Sequence, residues 1–226
     1  MFFDSFRSQL GRRGGATLIG LALGATVLMP ASSVAADHEQ ASFPLVVANN
    51  SLLPCLAEFP NDARRQPTAE VAVDRGELND TLKLHLKNIK PGLAFDLFTV
   101  QRSNKLADGT PDPSFKNFGL AWYQTDVQAD NNGDANVTIK TILLDQIFGF
   151  DPDVSLAPTN TFNVGFWFND PNDAAACGFD VSKPTPFNGE HHAGPLAMIS
   201  TPDATTGLGP LCRNPESTSS GIVCNG

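Results

Sequence analysis

The stretch NTFNVGFWFN, residues 160–169, decides the fold class of this chain. Large apolar side chains stand at every second position of the stretch. Two is the side-chain period of a β-strand, because successive side chains point to opposite faces of the sheet. The stretch therefore predicts a central strand whose core face is made by Phe162, Val164, Phe166 and Phe168.

The opposite face of this predicted strand carries Asn163, Gly165 and Trp167. Small neighbours leave room for a flat ligand over the indole ring of Trp167. Tryptophan and tyrosine rings are also the ones that protein recognition uses most, so Tyr123 is a further candidate. We expect a ligand-binding surface at Trp167, Asn163 and Tyr123. The alternative is that a second layer covers Trp167, since some strands are buried on both faces.

The period of two recurs along the rest of the chain, at residues 82–87, 94–100, 118–123 and 137–140. Clusters of Gly, Pro, Asn and Asp separate these stretches and supply turn chemistry. The pattern predicts an all-β fold, specifically an antiparallel β-sandwich. The chain has 16 phenylalanines and a single tyrosine, which fits a core of rings that need no hydrogen-bond partner.

One part of this pattern resembles a known group of proteins. An alternating strand from Leu82, the turn NIKPG at 88–92 and a second strand to Val100 are followed by Thr125-Asp126 and the turn DNNGDA at 130–135. This order resembles the repeat of many uncharacterised secreted bacterial proteins with immunoglobulin-like sandwiches. The resemblance covers about a third of the chain. It implies an immunoglobulin-like fold and a location outside the cytoplasm, and it brings no catalytic residues.

The beginning of the chain predicts a secretory signal peptide. Three arginines precede an uncharged, apolar segment at 14–29, and Pro30 follows it. This is the order of the n-region and h-region of a signal, and the segment is shorter than the roughly 20 residues of a membrane-spanning helix. We expect cleavage after Ala36 and a secreted protein. The predicted division of the chain is signal peptide 1–36, β-sandwich domain 37–200 and irregular, extended C-terminal tail 201–226.

The charge of the chain excludes some partners. Its formal net charge is −9 at pH 7, and a surface of this sign repels phosphate backbones and anionic lipids. We therefore expect no nucleic-acid partner and no membrane partner once the signal is removed. An extracellular protein or glycan is the expected kind of partner.

Four cysteines predict disulfides: Cys55, Cys177, Cys212 and Cys224. An even number in an exported chain, with no C-x-x-C pair, favours disulfides over a zinc or redox site. Four cysteines allow three pairings, and the sequence alone does not choose between them. A short polar loop separates Cys212 from Cys224, and its closure costs little entropy. We therefore favour Cys212–Cys224, which would staple the tail, together with Cys55–Cys177.

The turn DNNGDA carries oxygen-bearing side chains at alternate positions. Calcium binds several oxygens that converge from a tight bend, so Asp130, Asn132 and Asp134 are candidate ligands. However, Ala135 stands where an EF-hand loop needs Gly, and Thr141 where it needs a bidentate Glu. A solvated hairpin turn explains the same residues, and on balance we expect no cofactor.

Histidines are the other candidate metal ligands. His191 and His192 are adjacent, and adjacent residues on a strand point to opposite faces, so the two do not easily bind one ion together. Either could join His85 from another part of the sheet.

The sequence gives little support for nucleophilic catalysis. No G-x-S-x-G motif is present, and all four cysteines are assigned to disulfides. We expect a secreted, non-catalytic binding or structural module of the cell exterior. The alternative is a secreted hydrolase, either metal-dependent or based on paired carboxylates.

Overall fold

A computed structural model gives the fold of most of the chain. The described residues are 40–76, 79–102, 118–142, 161–183, 185, 193–205, 207–212, 215–218 and 221–224. Within them, side chains are not described at 40, 101–102, 118–120, 141–142, 212, 215–218 and 221–224. Contacts divide the chain into Met1–Ala36 and Asp37–Gly226. The predicted signal peptide lies outside the described residues.

Strands make up most of the described chain. They are β1 Gln40–Val47, β2 Thr68–Asp74, β3 Asp80–Lys87, β4 Ala94–Arg102, β5 Phe118–Gln128, β6 Ala135–Ile142, β7 Thr161–Phe168, β8 Leu196–Ser200, β9 Leu211–Cys212, β10 Pro215–Thr218 and β11 Gly221–Cys224. The helical elements described are a 3-10 helix at Asn50–Leu52, α1 at Leu53–Leu56 and a 3-10 helix at Pro171–Cys177.

Nine of these strands form one antiparallel sheet, in the order β5-β4-β7-β8-β1-β2-β3-β6 with β9 beside β7, and β10 pairs only with β11. The two ends of this order, β5 and β6, are consecutive in the chain and are joined by a short turn. The sheet therefore curls into a nearly closed, barrel-like structure, which leaves little exposed edge. The predicted all-β class is confirmed. The predicted sandwich is not confirmed, because these strands form one continuous sheet instead of two.

The inner face of the sheet encloses the main core. Phe162, Val164, Phe166 and Phe168 of β7 are each 1% exposed or less, as the period of two predicts. The ring of Phe95 on β4 lies 4.8 Å from that of Phe166 and 5.4 Å from that of Phe168, measured between centroids. Tilted rings at these separations pack closely and add to the area they bury.

The outer face of β7 is buried as well, which corrects the prediction for Trp167. The indole does point away from the main core, but it is only 1% exposed. It belongs to a second apolar cluster with Phe98, Val100, Ala193 and Ile199. Side chains of β4 and β8 and the segment before β8 thus cover it on its own face of the sheet. The open platform expected at Trp167 is not present.

Part of the predicted tail belongs to the main sheet. Leu211 of β9 is 2% exposed and lies in the main core. The backbone N–H of Gly209 donates to Oγ1 of Thr161 at 3.0 Å, and a Cβ added to Gly209 would lie 2.3 Å from the carbonyl oxygen of Phe162. The chain before β9 is therefore pressed against β7 and is not an extended tail at this point. Strands β10 and β11 form a hairpin farther along.

A disulfide joins the two short helical regions. Cys55 of α1 is bonded to Cys177, with 6.1 Å between their Cα atoms and 122 residues between them in sequence. Cys55 is buried in the main core, so the bond fastens the helical regions against it. This predicted long-range disulfide is confirmed. The side chains of Cys212 and Cys224 lie outside the described part of the chain, so that pairing stays a prediction.

Cap residues explain the 3-10 helix that carries Cys177. The carboxylate of Asp170 accepts a hydrogen bond from the backbone N–H of Asn172 at 2.8 Å, which caps the first turn. Gly178 ends the helix at a φ of +88°, a left-handed conformation that favours glycine. The local sequence therefore fixes where this helix stops and where its cysteine lies.

Candidate functional site

Strand β5 carries two exposed aromatic rings. Trp122 is 48% exposed and Tyr123 is 52% exposed, whereas the rings of β4 and β7 are buried wherever their side chains are described. Because they are neighbours on a strand, the two rings point to opposite faces. Among the described strands only β4 pairs with β5, since β5 stands at one end of the sheet order. The two exposed rings thus lie on the last strand of the sheet order.

A β-bulge places Tyr123 and Asp126 on the same face of β5. Residues three apart on a regular strand point to opposite faces. Here the β4–β5 register shifts between Leu97 and Phe98, and Gln124 is the extra residue on β5. One extra residue changes the alternation, so the phenol and the carboxylate come together on the outer face.

The side chain of Tyr123 is held at both ends. Its hydroxyl donates a hydrogen bond to Oδ1 of Asp126 at 2.7 Å. Its ring packs edge-on against that of Phe98, with 5.6 Å between centroids. Partial burial, the hydrogen bond to Asp126 and the charges of Asp126 and Asp96 raise the pKa of Tyr123 to about 12. The phenol is therefore protonated at neutral pH and acts as a donor and a packing surface.

Buried groups support this ring from behind. The indole of Trp167 packs edge-on against Phe98 at 5.3 Å between centroids. Asp96 is 8% exposed, and its Oδ1 accepts a hydrogen bond from Nδ2 of Asn169 at 2.8 Å. Asp96 lies opposite both Asp126 and Trp167 in the strand register. We give the name Tyr123 face to the exposed side chains of Tyr123 and Asp126 together with the buried Asp96, Phe98 and Trp167 behind them.

Asn163 is not part of an open surface. Its side chain is 0% exposed, and its Oδ1 accepts a hydrogen bond from Oγ of Ser200 at 2.9 Å. The same Oγ accepts from the backbone N–H of Val164 at 3.0 Å. These hydrogen bonds join β7 to β8, so the side chain of Asn163 contributes to the packing of the two strands and is not available to a ligand. Of the three predicted ligand-binding residues, Tyr123 alone is exposed.

The predicted calcium residues lie in the turn between β5 and β6. Oδ1 of Asp130 accepts hydrogen bonds from the backbone N–H groups of Asn132 and Asp134 at 2.8 and 3.0 Å. These bonds, the one from Asp134 first, lower the pKa of the Asp130 carboxyl. The carbonyl of Gly133 accepts from the backbone N–H of Ile89 at 3.0 Å. The carboxylate of Asp130 thus organises the turn, and the turn joins neighbouring loops.

Of the three histidines predicted as metal ligands, the structure describes one. His85 is exposed on β3, and its Nδ1 lies 2.5 Å from Oδ1 of Asn136 on β6. His191 and His192 lie outside the described residues, so their suggested combination with His85 stays a prediction. Among the residues that the structure describes, no group of three or more His, Cys, Asp or Glu side chains could hold a metal ion.

Three residues of the Tyr123 face were missed by sequence reasoning: Asp96, Phe98 and Asp126. The period of two along β4 could have found the first two, because it places them together on the face opposite Phe95 and Leu97. The position of Asp126 on this face could not be predicted from the period of two. It joins Tyr123 only through the bulge, and no turn residue marks a bulge at that point of the sequence.

Comparison with known proteins gives no relative from which a function could be transferred. No protein-family model matches the chain, and neither a curated protein nor a solved structure matches it. Among the described helices, none has both the length and the apolar character that crossing a membrane requires. The interpretation of the Tyr123 face therefore depends on its own geometry.

Proposed function

We propose that the protein is a secreted, non-catalytic binding module of the cell exterior, and that an extracellular protein or glycan docks on the Tyr123 face. The observation that carries this proposal is the half-exposed ring of Tyr123, fixed at one end by Asp126 and at the other by Phe98. Residues that dominate binding energies are commonly tyrosine, tryptophan or arginine. A ring that is already held in place loses little conformational entropy when a ligand covers it.

The raised pKa of Tyr123 makes this phenol a poor general acid or base and suits a role in binding. A general base or acid works best when its pKa is close to the working pH. A pKa of about 12 keeps the phenol neutral across the physiological range. The hydroxyl can donate to a ligand or to Asp126, and the ring can cover an apolar surface. The described residues give no observation that favours a secreted hydrolase.

The location outside the cytoplasm has two supports. The first 36 residues have the order of a signal peptide. A disulfide such as Cys55–Cys177 forms and persists mainly in oxidising compartments. The kinship with secreted bacterial proteins of the immunoglobulin-like type belongs to the same proposal. The support for this kinship is the pattern of strand and turn residues from Leu82 to Ala135. The described sheet adds no support, because it is one continuous sheet and not the two sheets of a sandwich.

Arrays of extracellular glycans and peptides test the proposal. The labelled protein is compared with Tyr123→Ala and with Val181→Ala, a control that truncates another exposed apolar side chain, 43% exposed. We expect Tyr123→Ala to weaken every specific signal by about tenfold or more, as the loss of a central anchor does. We expect Val181→Ala to leave the signals unchanged. Equal binding by both variants would show that the ligand docks elsewhere.

A further inference from the structure

Two carboxylates of the Tyr123 face lie opposite each other. Asp96 on β4 and Asp126 on β5 are partners in the strand register. Like charges directly opposite on neighbouring strands destabilise a sheet. Within the described part of the chain, no basic side chain forms an ion pair with Asp126. The exposed carboxylate of Asp126 can therefore accept hydrogen bonds from a cation that approaches beside the ring of Tyr123.

Elsewhere in the chain, an aromatic ring and a carboxylate together hold an arginine side chain. Cζ of Arg65 lies 3.4 Å from the centroid of the Phe59 ring, and Nε of Arg65 donates to Oδ2 of Asp62 at 2.8 Å. Phe59 and Asp62 are three residues apart, as are Tyr123 and Asp126. In both places an aromatic ring stands beside a carboxylate. In the loop the chain supplies its own guanidinium, and on β5 the ring and the carboxylate face outward.

We infer that the Tyr123 face binds arginine side chains presented by a basic segment of a partner protein. The inference rests on the proposed function and specifies the ligand class of the same surface. A guanidinium is planar, so it stacks on the ring of Tyr123 while its N–H groups donate to the carboxylate of Asp126. Charge-assisted hydrogen bonds of this kind are about twice as strong as neutral ones.

The charge of the whole chain supports the same ligand class. A net charge of −9 attracts a basic segment from a distance and orients its approach. A neutral glycan gains nothing from this field. The exposed carboxylate of Asp126 and the acidic chain therefore both favour a cationic ligand.

Two short peptides of equal length provide the test, one with three arginines and one with three citrullines at the same positions. Citrulline has the shape of arginine but a neutral urea in place of the guanidinium. Binding is measured by titration calorimetry on the purified protein at low and physiological salt. The arginine peptide is expected to bind about tenfold more tightly than the citrulline peptide, and salt is expected to weaken it.

Variants locate the binding. Asp126→Asn is expected to lower the affinity for the arginine peptide by about tenfold, because the substitution removes the charge of the side chain and keeps its shape. Glu70→Gln removes one exposed charge from β2, which is not adjacent to β4 or β5 in the sheet, and should change the affinity by less than about twofold. Tyr123→Phe keeps the stacking ring and should retain part of the binding.

Each other outcome overturns the inference. Equal binding of the two peptides would exclude a role for the charge of the guanidinium. Equal losses in Asp126→Asn and Glu70→Gln would show general attraction to an acidic protein. No binding of the arginine peptide, together with a glycan signal that Tyr123→Ala abolishes, would refute the arginine inference and leave the proposed function standing. No signal on any array would remove the proposed function as well.

Discussion

The inner and outer faces of strands β4 and β7 both carry aromatic clusters, but only the outer cluster extends to a ring that is exposed to solvent. On the inner face, Phe95 and Phe166 lie 4.8 Å apart inside a core that the curled sheet encloses. On the outer face, Phe98 and Trp167 lie 5.3 Å apart, and the cluster continues to Tyr123, which is half exposed. Residue type is similar on the two faces. The rings described on β4 and β7 are buried, and the exposed rings lie on β5, the last strand of the order.

Aromatic residues at alternate positions of a strand therefore have two different roles in this protein, one in the core and one at the surface. Strand β7 has neighbours on both sides and cover on both faces, so its rings stabilise the fold. Strand β5 stands at the end of the order and exposes its rings. A binding surface is therefore expected where an apolar cluster reaches the last strand, and not at its centre.

The largest expected effect comes from truncating either buried ring. Phe166→Ala and Trp167→Ala should each lower the free energy of unfolding by about 3–5 kcal/mol, as deletions of buried aromatic side chains do. Denaturant unfolding curves of the two variants measure this. If Trp167→Ala cost less than about 1 kcal/mol, the outer cluster would not be a second core.

The disulfide gives the inner face a covalent fastening. Replacing Cys55 and Cys177 together by Ala should cost roughly 2–4 kcal/mol, because the bond closes a long loop in the unfolded chain. Unfolding midpoints of the variant and the oxidised wild type provide the measurement. Peptide mapping of the unreduced protein should recover a fragment that joins the two cysteines. Two reactive thiols at these positions would contradict the structure.

The contact between β7 and the segment before β9 is tested by a smaller change. A Cβ at Gly209 would lie 2.3 Å from the carbonyl oxygen of Phe162 and 3.1 Å from Nδ2 of Asn163. Gly209→Ala should therefore push this segment away from β7 and cost about 1–3 kcal/mol, like other overpacked sites. Gly178→Ala is a useful comparison, because its Cβ would meet nothing within 4 Å and only the positive φ is strained. Equal stability of Gly209→Ala and wild type would mean that the segment does not press on β7.

The smallest expected effect on stability is the titration of Tyr123. It is the only tyrosine of the chain, so the ultraviolet band of tyrosinate reports this residue alone. The folded-state pKa of about 12 lies above the ordinary value of about 10. Any stability linked to the phenol is therefore complete below pH 10 and is lost as the pH rises through 12. Asp126→Asn should lower the pKa of Tyr123, and an unchanged titration in that variant would contradict the contact.

The sequence was sufficient where its pattern depends on one strand alone. The alternation from Phe162 to Phe168 predicted the inner face of β7. Cysteine chemistry predicted disulfides, and the bond between Cys55 and Cys177 was favoured only as the pair that remained after Cys212–Cys224, a pairing that stays a prediction. Each of these inferences uses a local period or the chemistry of one residue type. The predicted direction of Trp167, away from the inner core, was also right.

Properties that depend on several segments could not be predicted in this way. The burial of Trp167 requires β4, β8 and the segment at Ala193 to meet over it. The proximity of Tyr123 and Asp126 requires a bulge that appears only in the pairing with β4. A single continuous sheet, in place of a sandwich, requires knowledge of how the strands are ordered. The residue pattern of a strand predicts which side chains share a face of the sheet, whereas the pairing of the strands determines which side chains are neighbours.

Fluorescence quenching in Trp122→Phe tests the central claim most directly, which is that β7 is buried on both faces and the exposed aromatic surface lies on β5. The chain has two tryptophans, so this variant leaves Trp167 as the only indole. Trp167 is 1% exposed, and we expect blue-shifted emission that an aqueous quencher such as acrylamide barely affects. In the wild type, the 48% exposed Trp122 should add a component that is readily quenched. If Trp167 alone were quenched as readily as free tryptophan, the outer face of β7 would be open and the account would be wrong.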